Sequence, residues 1–88
     1  MSDTHSRNLE EHRRNLLRAR ENVTKGQTLV EQQRLLVSSI KAGGGEAPEA
    51  ERLLAHLEDS LEFLVRHRES LANYVKDLER DESGRGSP

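Results

Sequence analysis

An aliphatic residue returns every seventh position through the first half of this chain, at Leu9, Leu16, Val23, Val30 and Val37. A seven-residue period held over five repeats keeps its stripe on one face of an α-helix only when that helix wraps left-handedly around another. With this stripe labelled a, the companion d position carries His12, Ala19, Gly26, Gln33 and Ile40. One side of the seam is therefore bulky, and the other is mostly small or polar. The second half of the chain fits the same frame. Its d series is Ala50, Leu57, Leu64, Leu71 and Leu78, and its a series is Leu54, Leu61, Arg68 and Val75. Arg68 alone breaks that aliphatic stripe.

Gly43-Gly44-Gly45 followed by Glu46-Ala47-Pro48 separates the two halves. Three glycines disfavour a helix interior, and proline suits the first turn of a new helix. Glu49 and Glu51 complement the positive end of that second helix. The spacing predicts a frayed N-terminus over 1–5, a helix over about 6–42, a Gly-rich link over 43–47, a helix over about 48–81 and a disordered tail over 82–88. Each helix would be on the order of 50 Å long. Long helices joined by so short a link turn back on one another. The expected fold is all-α, an antiparallel two-helix coiled-coil hairpin.

In such a pair the e positions face each other across the seam, and their charges choose the register. Pairing Lys41 with Glu51 brings Arg34 to Glu58 and Arg13 to Glu79, with no like charges opposed. Exposed pairs of this kind contribute only ~0.2–1 kcal/mol each, so they select alignment more than they stabilise. The register then places Ile40 near Leu54, Val37 near Leu57, Val30 near Leu64 and Val23 near Leu71. It also sets Gly26 opposite Arg68, where a missing side chain leaves room for a long one.

The opposite flank, g, reads Asn8, Asn15, Asn22, Leu29 and Leu36 in the first helix, then Leu53, Ser60, His67 and Tyr74 in the second. None of these nine is charged, in a chain with 34% charged residues. A neutral flank on a charge-rich hairpin points to a covered face. A chain this small has little core of its own and usually needs a staple or a partner. Homodimerisation into a four-helix bundle is therefore expected, with Asn15, Asn22, Leu29, Leu36, Leu53, Ser60, His67 and Tyr74 at the interface. Leu17, Leu35 and Phe63 fall outside both seams.

Chemistry finds little support. Eighty-eight residues without cysteine, with one Phe, one Tyr and no Trp, offer neither thiol chemistry nor an aromatic-lined pocket. No apolar run exceeds three residues, as at Leu35–Val37, which excludes a membrane span or signal-peptide core in this sequence. His5, His12, His56 and His67 lack the Glu-x-x-His and His-Glu-x-x-His spacings that put ligands on one helix face. The register places His67 near Leu29 and His56 near Arg34, so the histidines do not cluster. No phosphotransfer pattern surrounds them. Arg7, Arg13, Arg14, Arg18, Arg20 and Lys25 make the first helix basic, but Glu10, Glu11 and Glu21 interleave and no aromatic is present for base stacking. The expectation is a non-enzymatic protein–protein interaction or scaffolding module with no metal and no cofactor. Its partners would be a second copy and a further protein, with no membrane. A small nucleic-acid-associated regulator is the alternative.

Val23-x-x-Gly26-x-x-x-Val30-x-x-Gln33-Arg34, the Gly-rich link, Leu53-Leu54-x-x-Leu57-x-x-Ser60-Leu61 and His67-Arg68 together resemble a recurring group of small hypothetical bacterial proteins. The resemblance spans roughly residues 9–78. It implies a helical hairpin in a bacterial cytoplasm, and brings no activity, cofactor or catalytic residue.

Overall fold

The computed structural model describes the backbone of residues 2–85 and the side chains of 7–81. Two helices, α1 (Ser2–Ala42) and α2 (Pro48–Arg85), form an all-α antiparallel hairpin with principal extents of 70 × 16 × 14 Å. Both run past the outer ends set by periodicity, at 6 and 81. No proline stands in those extensions, and the weak formers there, Gly84 the weakest at ~1 kcal/mol relative to alanine, each cost too little to stop a helix. What remains of the expected frayed and disordered ends, Met1 and residues 86–88, lies outside the described residues.

The link is a helix stop built from backbone groups. Gly44 has φ +85°, the left-handed conformation that glycine adopts without penalty. Around it Gly45 N–H donates to Ile40 C=O at 3.1 Å, and Gly44 N–H to Lys41 C=O at 3.0 Å. These two bonds are the Schellman pattern and satisfy carbonyls that the end of α1 leaves unpaired. Three residues later Ala47 C=O accepts from Glu51 N–H at 2.8 Å, so Ala47 caps α2 and Pro48 takes its first position. Ile40 shares a depression with Ala47, Pro48 and Ala50, and Ala47 is buried.

The core is lopsided. Leu9, Leu16, Ala19, Val23, Val30 and Val37 of α1 are buried, against Val75 alone within α2. The six seam leucines of α2, namely Leu54, Leu57, Leu61, Leu64, Leu71 and Leu78, are only half-buried. Val, Ala and Gly on α1 are too short to wrap leucines on one facing helix. At the open end Leu9, Leu16 and Val75 form a cluster flanked by Leu71, Ala72 and Leu78.

The seam register differs from the one inferred from the flanks by one heptad. Gly26 does not face Arg68. A Cβ on Gly26 would lie 4.0 Å from Leu61 Cβ, 3.2 Å from Leu61 Cδ1 and 3.4 Å from Leu64 Cδ1. Likewise His67 shares a depression with Ala19 and Asn22, one heptad before Leu29. The same shift brings Ala19, buried, level with Arg68, which is half-buried.

The flank pairs nevertheless join the residues that the e positions opposed. Arg13 Nη2 lies 3.4 Å from Glu79 Oε1, Arg34 Nη2 lies 3.2 Å from Glu58 Oε2, and Lys41 Nζ pairs with Glu51. Both facts follow from side-chain direction. Every Cα–Cβ bond tilts toward the N-terminus of its own helix, so long side chains on antiparallel helices reach toward each other along the axis. With Gly26 level with Leu61, the backbones of Arg13 and Glu79 are offset by five residues, about 7 Å. The long side chains close that gap, whereas short seam residues meet at their own height.

Candidate interaction face

The g rows form one long side of the hairpin, with the d rows beside them. On α1 this side carries Asn15, Asn22, Leu29 and Leu36; on α2 it carries Leu53, Ser60, His67 and Tyr74. Asn15 is half-buried and the other seven are exposed, with Leu29 at 50%, Leu36 at 49%, Leu53 at 49% and Tyr74 at 50%. Charge returns to these rows only near the two ends of α2, at Glu46 and Asp81.

The face is graded along its length. Leu29, Leu36, Leu53 and Ser60 occupy the half nearest the turn, and Asn15, Asn22, His67 and Tyr74 the half nearest the open end. Over Ala19 the small seam residue leaves a shallow depression of ≈ 210 Å³ lined by Asn15, Arg18, Asn22, His67 and Leu71. The expected interface residues Asn15, Asn22 and His67 are thus brought together. Tyr74 is engaged within its own hairpin: its ring meets His12 edge-on, with centroids 4.6 Å apart and planes at 71°. His12 Nδ1 is buried and has no hydrogen-bond partner among the described residues.

Two residues of this side were not legible as participants. Phe63, 69% exposed, stacks on His67 with centroids 6.3 Å apart and planes at 4°. Their four-residue spacing on α2 was the available signal. Gln33, read only as a polar interruption of the seam, donates from Nε2 to Ala50 C=O at 2.9 Å and ties α1 to the first turn of α2. A sequence pattern marks such an amide as polar without saying which carbonyl it reaches. The sequence matches no family model, no curated protein and no solved structure.

Among the described residues no group of three or more His, Asp or Glu side chains could hold a metal ion, and no helix is long and apolar enough to cross a membrane. Elsewhere Leu17 and Leu35, outside both seams, are also exposed, at 56% and 65%, and only part of the surrounding charge is paired. Arg66 Nη2 donates to Glu62 Oε1 at 2.6 Å, one turn apart on α2. What the neutral side offers chemically is desolvation: exposed aliphatic and aromatic carbon, with amide groups able to hydrogen-bond across an interface.

Proposed function

We propose that this chain is a non-enzymatic protein–protein interaction or scaffolding module. It would work by pairing with a second copy through the neutral side and presenting the resulting four-helix bundle to a partner protein. The observation that carries this is the exposure of Leu29, Leu36 and Leu53 on a flank whose nine central positions hold no charge. The half-buried d-row leucines of α2, Leu57, Leu64, Leu71 and Leu78, support it, since they lie beside that side and a second hairpin there would add to their burial. We place the protein with the small bacterial hairpins it resembles, in the cytoplasm. Thermal unfolding at increasing protein concentration tests the pairing. A dimer melts at higher temperature as concentration rises, whereas an isolated hairpin melts at one temperature throughout.

A nucleic-acid-associated role for α1 is the second reading. Arg14, Arg18, Arg20 and Lys25 are exposed and have no ion-pair partner among the described residues. It ranks second because Glu10, Glu11 and Glu21 are exposed beside them. Retarded migration of nucleic acid that is abolished by moderate salt would favour it, and absence of binding at low salt would remove it.

A further inference from the structure

Resting on the self-association proposed above, we infer that the occupant of the neutral face is a second copy oriented with its turn at the same end, so that α1 of each hairpin lies against α2 of the other. Two twofold arrangements can bring these faces together. With the symmetry axis parallel to the helices, the two Gly43–Gly45 turns sit side by side and every neighbouring helix pair is α1 with α2. With the axis across the helices, the turns lie at opposite ends, and α1 packs on α1 while α2 packs on α2.

Two independent features select the first. The gradient along the face is one. Leu29, Leu36 and Leu53, with Ser60, lie on the turn side of the hairpin's middle, and Asn15, His67 and Tyr74 on the open side. Same-end packing sets the apolar half against its own copy, where it leaves water. Opposite-end packing would lay those leucines against the Asn- and His-bearing half of the partner, covering amide and imidazole groups with hydrocarbon.

Charge is the other. Residues 1–45 hold eight Lys/Arg and five Asp/Glu, a balance of +3; residues 46–88 hold six and eleven, a balance of −5. Same-end packing alternates basic and acidic helices around the bundle. In the other arrangement two antiparallel copies of α1 meet near their midpoints, where Arg18 and Lys25 border the neutral row. The cations of one copy would then face those of the other. Opposed like charges at a packing edge act against that alignment.

Double electron–electron resonance on the full chain carrying Glu46→Cys distinguishes the two. The sequence has no cysteine, so a nitroxide there labels the turn alone, and Glu46 is exposed. Adjacent turns in a bundle with helices ~8–10 Å apart predict a label separation within roughly 30 Å. Opposite ends would give a separation comparable with the 70 Å long axis, and that result in a dimer overturns the orientation while leaving self-association intact. A labelled chain that light scattering finds monomeric overturns both.

Discussion

Gly26 of α1 packs directly against Leu61 of α2, with a Cβ at Gly26 placed 3.2 Å from Leu61 Cδ1. This contact sets the height at which the two helices meet. A glycine here is not required by backbone geometry, because positive φ occurs only at Gly44 among the described residues. Helix propensity favours alanine over glycine by ~1 kcal/mol in a helix interior. The atoms that an added methyl would press, Leu61 Cδ1 and Leu64 Cδ1, are the mobile ends of half-buried side chains. Gly26→Ala is expected to stabilise the hairpin by about 0.5–1 kcal/mol in urea unfolding, within the propensity gain. Destabilisation would mean that the leucines cannot yield and that close approach of the backbones is essential.

Arg34 and Glu58 test the flank pairing. Both are about half-exposed, so their 3.2 Å contact is screened and small. Arg34→Glu or Glu58→Arg alone opposes like charges and should cost a few tenths of a kcal/mol, and the double exchange should recover most of it. A coupling energy of zero would separate these residues in solution.

His12 sits at a seam position with Nδ1 covered and unpaired. Such a group costs ~1–3 kcal/mol when buried without a partner. Leucine would lose the edge contact with Tyr74, worth ~0.5–1.5 kcal/mol, and gain aliphatic burial. His12→Leu is therefore expected to raise the melting temperature, with a net gain of about 1 kcal/mol. A lower melting temperature would point to a polar partner for that nitrogen in the assembled protein.

Ala47 caps α2 without a side-chain oxygen. Serine at a helix cap is favoured over alanine by ~0.5–2 kcal/mol because its hydroxyl accepts from a free N–H in the first turn. Ala47→Ser should stabilise toward the lower end of that range, since Ala47 is buried and the added oxygen must fit beside Ile40. Chemical denaturation measures the gain, and a loss would show that the pocket rather than the cap governs this position.

Much of the hairpin was legible because its signals are local and periodic. The seven-residue stripe of Leu9 to Val37 dictates the buried side of α1, and Gly44 with Pro48 places the turn. The seam register was not legible, although the e-position charges pointed to Arg13, Arg34 and Lys41 with their acids. Long side chains report where their tips meet, whereas Gly26 and Leu61 report where the backbones meet, and the two differ by most of a heptad. Tyr74 shows a second limit. Its position on the neutral row agrees with its 50% exposure, but nothing periodic foretells the edge contact its ring makes with His12 on the other helix. Partner choice leaves no such periodic trace, because a face is neutral in the same way whatever covers it.

Sedimentation equilibrium of the wild-type chain beside the Leu29→Glu, Leu36→Glu double variant addresses the covered face most directly. The wild type is expected at twice its 10.0 kDa chain mass, and the variant, with two carboxylates on the neutral row, at the mass of one chain with reduced helicity. A wild type that sediments as a single chain, or a variant that keeps the wild-type mass, would contradict the assignment of this face.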